Sequence, residues 1–168
     1  NGRIVSHTST ASGSTLPVSI QGLSQTNGSI KIVHRNHLSV RTNPILWSTV
    51  TFPYEFNFTN SSDIYTVSVA PSINSANPMK PYTGGFKALW AGDVNGNGIV
   101  RYNLSGNDRV LILNLIGAST PNSSLSGYYN ADVNLNGISR YNLSGNDRVI
   151  ILNNVGASTS NSTISSHN

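Results

Sequence analysis

Cysteine is absent from this sequence, and charged residues are scarce. Without cysteine no disulfide framework can stabilise the chain, so stability must come from packing, metal or assembly. Only 10% of the 168 residues are charged, against about a quarter in ordinary globular proteins. Serine, threonine and asparagine must then cover most of the surface. Such a surface repels its neighbours weakly, which favours close packing against other copies of the chain, another surface protein or glycan.

Long apolar runs and catalytic patterns are lacking as well. No stretch is long enough to predict a membrane span, and no nucleophile elbow surrounds any serine. Glu55 and Asp63 are interpreted as a strand residue and a turn residue. His34 and His37 lie three residues apart beside a strand and are expected to face opposite sides, so they do not predict a metal pair. The sequence therefore predicts a protein that is not an enzyme.

The net positive charge of the chain does not indicate a nucleic-acid partner. The formal net charge is +4 and the sequence pI is about 9.6, values that invite such a hypothesis. The ten basic residues are scattered, however, and no aromatic-basic motif accompanies them. We expect solvated basic side chains and no nucleic acid. The first residue is Asn1 instead of Met, which indicates a processed or excerpted chain.

A stretch of 28 residues occurs twice. Residues 93–120 and 132–159 are offset by 39 positions and differ at five of the 28, so 23 are identical. A close repeat indicates that one supersecondary unit was duplicated, and two such units usually bury their apolar faces against each other. Residues 92–159 are therefore predicted to form one module.

Each copy opens with the pattern Asp-x-Asn-x-Asn-Gly, which is the first half of an EF-hand-type calcium loop. Side-chain oxygens at positions 1, 3 and 5 point at one centre, glycine at position 6 makes the sharp turn, and the carbonyl of position 7 is a further ligand. The ligands predicted for two calcium ions are Asp93, Asn95, Asn97, the Ile99 carbonyl and Asp108 in the first copy, and Asp132, Asn134, Asn136, the Ile138 carbonyl and Asp147 in the second.

The second half of each loop departs from the EF-hand pattern. Position 12 is Leu104 or Leu143, and the next carboxylates, Asp108 and Asp147, come four residues later. We expect residues 102–106 and 141–145 to bulge outward and let these acids close the sites. Four of the six acidic residues of the chain occupy these paired positions. Two carboxylates per site predict weak, structural binding, with dissociation constants of about 0.1 to 1 mM. The alternative is a pair of Asn-Gly turns capped by Asx side chains, which need no metal.

An apolar run with helix signals at both ends follows each loop. Asn107 suits an N-cap, Asp108 the positive start of a helix and Gly117 its C-terminal end, which predicts a helix of about nine residues. A buried strand is the alternative, because VLIL and VIIL are rich in β-formers. Leu115 in the first helix corresponds to Asn154 in the second, so the first helix is expected to be the more buried. Its apolar stripe is expected to consist of Val110, Leu113 and Ile116.

The duplicated loop and helix, with GDVNGNG at residues 92–98, resemble a type I dockerin, the small calcium module of secreted bacterial proteins. The late acid and the YNLSGNDR insertion depart from that family. Together with HRNHL at residues 34–38 and LWAGDVNGNG at residues 89–98, the chain from Ser29 onward is similar to C-terminal regions of large secreted and surface proteins of the Bacteroidota. This resemblance implies export to the cell exterior and a non-catalytic role.

The remainder of the chain reads mainly as β-structure. Residues 1–14 are predicted to be an N-terminal arm, 15–73 a small antiparallel Ig-like β-sandwich, 74–91 a linker and 160–168 a C-terminal tail. Apolar alternation at Leu16 to Ile20, Ile30 to Ile32, Leu38 to Val40 and Phe52 to Phe58 carries the sandwich prediction, with turns at Thr26 to Gly28, Arg35 to His37 and Asn43-Pro44. Phe86, Leu89 and Trp90 are expected to wedge between the sandwich and the module.

Two functions follow from these observations. In the first, the chain is an extracellular structural or adhesive protein, in which an N-terminal arm that pairs with a neighbour's sheet edge could build a homo-oligomer or a surface filament. The arm could equally pair within its own sandwich. In the second, the chain is a dockerin-like docking module at the C-terminal end of a larger secreted protein.

Overall fold

The computed structural model describes residues 27–50, 56–59, 62–66, 74 and 77–167. Within these ranges the chain is mainly β, with two helices, and neither helix is long and apolar enough to cross a membrane. The strands are β1 Asn27–Gly28, β2 Lys31–His34, β3 His37–Arg41, β4 Ile45–Leu46, β5 Lys80–Pro81, β6 Lys87–Ala88, β7 Ile99–Arg101, β8 Ser124–Ser126, β9 Ile138–Arg140 and β10 Thr163–Ser165. The helices are α1 Arg109–Ile116 and α2 Arg148–Val155, and short 3-10 turns cover Trp47–Thr49 and Ala157–Thr159.

The strands of the N-terminal half pair as small antiparallel units. Strands β2 and β3 form a hairpin closed by the predicted turn at Arg35 and Asn36, and their alternation buries Leu38 and Val40. Strand β1 pairs with β4. The turn predicted at Asn27-Gly28 is therefore wrong, because Gly28 lies in a strand where the indole of Trp47 leaves no room for a side chain.

Only part of the predicted sandwich lies within the described residues. The arm at residues 1–14 and the alternating stretch at Leu16 to Ile20 are outside them, as is most of the Phe52 to Phe58 stretch. Residues 56–59 contain no strand, contrary to prediction, because the Asn57 side chain accepts hydrogen bonds from the amide and the hydroxyl of Thr59 and closes a turn. Phe56 and Phe58 nevertheless pack against the buried cluster of Val40, Ile64 and Met79.

The segment predicted to be an irregular linker forms a second hairpin. Strands β5 and β6 pair, and the amide of Tyr82 donates to the carbonyl of Phe86 across a turn at residues 83–85. Leu89 and Trp90 pack inward as expected. Phe86 does not, because it lies at the tip of the hairpin, where 64% of it is exposed.

The two repeats exchange strands. Strand β7 of the first repeat pairs with β10, which follows the second helix, and β9 of the second repeat pairs with β8, which follows the first helix. The same offset of 39 relates β8 to β10, so the structural repeat extends beyond the 28 matched residues. Residues 160–168, expected to be a tail, thus contribute a strand whose Ile164 is fully buried. The repeats close each other's sheets and form one module.

Both helices form where they were predicted. A buried aspartate at the start of each helix sets which face of the helix points towards the core. Asp108, Ile112 and Ile116 follow one another at four-residue steps and are all buried. The stripe predicted from Val110 and Leu113 is wrong, since 42% of Val110 is exposed and Leu113 is only half-buried. The equivalent residues Asp147, Ile151 and Val155 are buried on α2. Ile112 and Ile151 are the centre of a core shared with Leu38, Trp90, Val94, Val100, Ala131, Val133 and Ile164.

The second helix, not the first, is the more buried of the two. Leu115 is 38% exposed, whereas its counterpart Asn154 is 4% exposed. Asn154 accepts a hydrogen bond from Lys80 Nζ at 2.6 Å and donates one to the Ala91 carbonyl at 2.8 Å. The prediction that α1 is the more buried helix is wrong because residues 80–91 cover α2. This segment places the Lys80 ammonium group and the Ala91 carbonyl beside Asn154, whose side chain can bind both.

We expect Asn154→Ala to lower the free energy of unfolding by about 1 to 3 kcal/mol, because it leaves the partly buried Ala91 carbonyl without its donor. The neighbouring Asn153 is exposed, so Asn153→Ala is the matched control and should change stability by less than about 0.5 kcal/mol. Urea unfolding of the three proteins measures both values. Equal effects of the two substitutions would contradict the role given to Asn154.

Candidate metal centres

The first half of the first loop is folded around the carboxylate of Asp93. Its Oδ1 accepts the amide of Asn97 at 2.9 Å and its Oδ2 accepts the amide of Gly98 at 3.0 Å. Asn95 Oδ1 accepts the Asn97 amide, and Asn97 Oδ1 accepts the amide of Ile99, each at 2.9 Å. Alternate side chains therefore turn their oxygens towards the inside of the loop. Gly98 allows this because it has a φ of +80°, which other residues rarely adopt.

Asp108 closes the loop from the far end, as the sequence predicts. Its Oδ1 accepts the amides of Val94 at 2.8 Å and Asn95 at 3.3 Å, and its Oδ2 accepts the amide of Arg101 at 2.8 Å. Both oxygens thus bind backbone at the start of the loop. The late acid thus reaches the loop that Asp93 opens, both residues are buried, and their carboxylates are close enough for Asp93 to raise the pKa of Asp108.

The insertion between these acids bulges outward at residues 103–106, whereas Tyr102, which was expected to belong to the bulge, packs against the core. The Asp108 amide donates to the Arg101 carbonyl at 3.0 Å, which closes the base of the bulge. Residues 103–106 are exposed, and Leu104, which stands at the twelfth loop position, is 40% exposed. Asn95 Nδ2 donates to the Gly106 carbonyl at 3.1 Å and holds the bulge against the loop. The insertion therefore displaces the closing acid along the sequence without moving it away from the loop.

The carbonyl of Ile99 faces the loop. Along β7, the Gly98 carbonyl accepts the Ser166 amide, so the adjacent residue turns its polar groups to the opposite edge of the strand. The Ile99 amide accordingly donates to Asn97 Oδ1 inside the loop. Since the N–H and C=O of one strand residue lie on the same edge, the Ile99 carbonyl points there too. Ile138 has the same arrangement on β9.

The second loop repeats this geometry. Asp132 accepts the amides of Asn136 and Gly137, both at 3.0 Å, and Asp147 accepts those of Val133, Asn134 and Arg140 at 2.7, 3.1 and 2.8 Å. One backbone position differs. Leu135 stands where the first loop has Gly96 and has a φ of +62°, a conformation that strains a residue with a side chain.

The tip of the β2–β3 hairpin binds the second loop, and sequence reasoning missed this contact. Arg35 Nη2 lies 3.0 Å from Asp132 Oδ2, and the guanidinium stacks 3.8 Å from the centre of the Tyr128 ring. Asn36 is fully buried and donates from Nδ2 to the carbonyls of Asn130 and Asp132 at 2.9 and 2.7 Å. The only available signal was the HRNHL motif at residues 34–38, which carries no spacing rule that points to a loop about 96 residues away.

His34 and His37 touch, contrary to the expectation that they face opposite sides. Their Nδ1 atoms are 2.9 Å apart and their rings meet edge to face. The reason is the hairpin, which places His34 directly opposite His37 across a two-residue turn. Burial, followed by the charges of His34 and Arg35, lowers the pKa of His37 to about 4. The pair is thus neutral at physiological pH, and it braces the turn that carries Arg35 and Asn36.

Asp93, Asp108 and Asp147 lie in surroundings that disfavour their charged forms. Burial raises the pKa of Asp108 to about 7 against the opposing effect of its amide donors, and nearby Asp93 raises it further. Burial likewise raises the pKa values of Asp93 and Asp147. A divalent cation would stabilise those charged forms. Within the described residues no three His, Cys, Asp or Glu side chains come together, so the available donors are carboxylate, amide and carbonyl oxygens. That donor set suits calcium.

Comparisons with known proteins do not identify a relative. No protein family model, no curated protein and no solved structure matches this chain. The interpretation of the two loops therefore depends on their own geometry.

We expect Asp108→Asn to destabilise the protein even in the presence of chelator. An asparagine can accept on only one side, so its NH₂ group would face a backbone amide that now donates to the carboxylate. The expected loss is about 1 to 3 kcal/mol in urea unfolding, and Asp147→Asn should behave alike because its amide contacts are the same. Asp63→Asn, at an exposed aspartate, is the control. A loss confined to calcium-containing buffer would show that these amide contacts do not matter.

Proposed function

We propose that this chain is a non-enzymatic extracellular structural or adhesive protein whose duplicated module binds two calcium ions. The ligands would be the five predicted for each loop, with the two carboxylates supplying the charge and the asparagine and carbonyl oxygens completing the shell. The calcium stabilises the module and does no chemistry.

One observation carries the proposal. In a chain with only six acidic residues, four are buried in pairs at equivalent places of two loops. Burying two carboxylates together destabilises the folded state unless a cation compensates their charge. Two such pairs at equivalent places therefore indicate that a cation binds there. The backbone amides offset part of that cost, and the alternative of metal-free Asx turns depends on them. The raised pKa values of Asp93 and Asp108 indicate that the amides do not offset all of it.

The low charge of each site points to a structural role. Calcium affinity in loops of this class rises with the number of carboxylates and with rigidity, and extracellular modules bind at about 0.1 to 1 mM. Two carboxylates per loop place these sites at that weak end. Such sites are filled only where calcium is abundant, as it is outside cells, and this agrees with the proposed extracellular or cell-surface location.

The finer architecture belongs to the same proposal. We interpret residues 15–73 as an Ig-like sandwich and the two loop-and-helix units as a dockerin-like module, on the strength of the sequence resemblance. The N-terminal arm, which lies outside the described residues, would pair with a neighbouring copy and extend the chain of contacts into a filament. The low overall charge supports close packing of copies, since it removes most of their mutual repulsion.

A docking module is the second candidate, and one feature favours it. On α2 the segment at residues 80–91 covers the position of Asn154, whereas on α1 the equivalent Leu115 and the neighbouring Leu111 and Val110 are 36% to 42% exposed. An exposed apolar helix face is a common site for a protein partner. Under this candidate the chain would be the end of a larger secreted protein.

Electron microscopy of the purified chain in calcium separates the two candidates. Regular fibres are expected if the chain is a filament subunit, because a head-to-tail contact that does not close propagates without limit. A docking module would remain a monodisperse monomer. The experiment is then repeated with residues 1–14 deleted. Loss of the fibres would identify the arm as the polymerising element, and fibres that persist would exclude it.

The calcium assignment is tested by Asp93→Asn, which keeps a side-chain oxygen and removes one of the two charges of the first loop. We expect the rise in Tm on adding calcium to shrink, because one of the two charges that attract the ion is gone. The Tm in chelator should fall as well, since the new NH₂ group faces one of the two backbone amides that donate to Asp93, so the difference between the two buffers is the measure of calcium binding. Asn97→Asp is the opposite control and should enlarge the calcium-induced rise by adding a carboxylate. Equal Tm changes in calcium and in chelator for both variants would refute calcium binding at this loop.

A further inference from the structure

We propose that Arg35 is a built-in cation of the second loop and makes the two calcium sites unequal, so that the first loop takes up calcium at a lower concentration than the second. The inference rests on the proposed calcium binding and adds a ranking of the two sites. The two loops are nearly identical in sequence, but different residues of the rest of the chain contact them. A difference in calcium affinity can therefore be traced to those contacts.

The arginine is firmly held at the second loop. Its Nη2 donates to Asp132 Oδ2 at 3.0 Å and lies 3.4 Å from the Asp132 carbonyl oxygen, and the side chains of the pair are 12% and 3% exposed. The ring of Tyr128 covers the guanidinium from the other side. An ion pair so shielded from water is screened far less than one on the surface. The positive charge of Arg35 is therefore felt throughout the second loop.

The remaining cations of the module cannot create the inequality, because they occur in matched pairs. Arg101 and Arg140 each donate from Nη1 to a bulge carbonyl, that of Ser105 and that of Ser144. Arg109 and Arg148 stack on tyrosines at 4.5 and 4.6 Å. These contacts are the same in both loops and cancel in a comparison between them.

Arg35 has no counterpart at the first loop. Among the described residues no lysine or arginine forms an ion pair with Asp93, which accepts backbone amides instead. With the matched arginines left out of both counts, the two carboxylates give the first loop a formal charge of −2. The second loop has the same two carboxylates and one arginine, which gives −1.

The oxygens of Asp132 are also less available than those of Asp93. Oδ2 of Asp132 accepts both the Gly137 amide and Arg35, which uses its two lone pairs, whereas Oδ2 of Asp93 accepts the Gly98 amide and no arginine. Charge and donor availability therefore rank the sites in the same order.

Removal of the arginine charge should leave the hairpin in place, because other contacts hold its tip. Asn36 donates to two carbonyls of the second repeat, and its own carbonyl accepts the Gly92 amide at 2.8 Å. Leu38 is buried in the shared core. Arg35→Gln therefore removes the charge at Asp132 while the hairpin remains docked.

The experiment is a titration of the full chain with Ca²⁺ alone, followed by ¹H–¹⁵N correlation NMR. The amides of Gly98 and Gly137 donate to Asp93 and Asp132, so each reports on its own loop within one sample. In the wild type we expect the Gly98 signal to reach the midpoint of its change at a calcium concentration about tenfold lower than the Gly137 signal. A tenfold difference is the size of effect expected from one unit charge at close range in a partly shielded site. In Arg35→Gln, the midpoint of Gly137 should fall towards that of Gly98, and the midpoint of Gly98 should stay unchanged.

Two further variants complete the test. Arg35→Lys keeps the charge and should keep the two midpoints apart, and Arg41→Gln removes an arginine from the same hairpin, away from both loops, and should change neither midpoint. Equal midpoints in the wild type, or an unchanged or higher Gly137 midpoint in Arg35→Gln, would overturn the ranking and leave calcium binding intact. If neither glycine responds to calcium in any variant, the proposed function itself fails.

Discussion

The binding of backbone amides by Asp108 and Asp147 is the interaction on which the rest of the module depends. Each carboxylate gathers three amides from the beginning and the middle of its loop, and so fixes the loop, the bulge and the first turn of the following helix together. Because each aspartate is buried, the residues four and eight positions later on the same helix face are buried as well. The burial of Asp108 and Asp147 thus decides which residues of the two helices enter the core.

Local signals in the sequence were sufficient to predict the parts that depend on neighbouring residues. The loops, the outward bulges and the two helices all follow from caps, turns and hydrogen bonds within about 15 residues, and Asp108 reached its loop as expected. The hairpin at residues 31–41 follows equally from alternation around a two-residue turn.

Hydrophobicity and local signals do not predict where a polar side chain is buried. Leu115 was ranked above Asn154 because hydrophobicity was the only guide to burial, whereas the actual environment of Asn154 is set by Lys80 and Ala91. The stripe on α1 was misplaced because Asp108 was treated as a cap at the edge of the helix and not as part of its buried face. The sequence predicts a solvated Arg35 side chain, because no residue near Arg35 in the chain indicates its contact with Asp132. For Asn154 and Arg35 a polar partner far away in sequence decides the outcome, whereas the stripe on α1 is set by an acid at the start of the same helix.

The exchange of strands between the repeats has a consequence for how such a module can arise. A single repeat contains a loop strand and a strand after its helix, yet these two do not pair with each other; each needs the complementary strand of another repeat. Two separate chains carrying one repeat each could satisfy that need only as an intertwined homodimer with twofold symmetry, in which every contact occurs twice. The present chain contains both halves, joined by residues 128–131. Gene duplication followed by fusion of an ancestral dimer is therefore the simplest route to this architecture, and fusion freed the two copies to diverge, so that one could acquire the arginine contact and the other could remain without it.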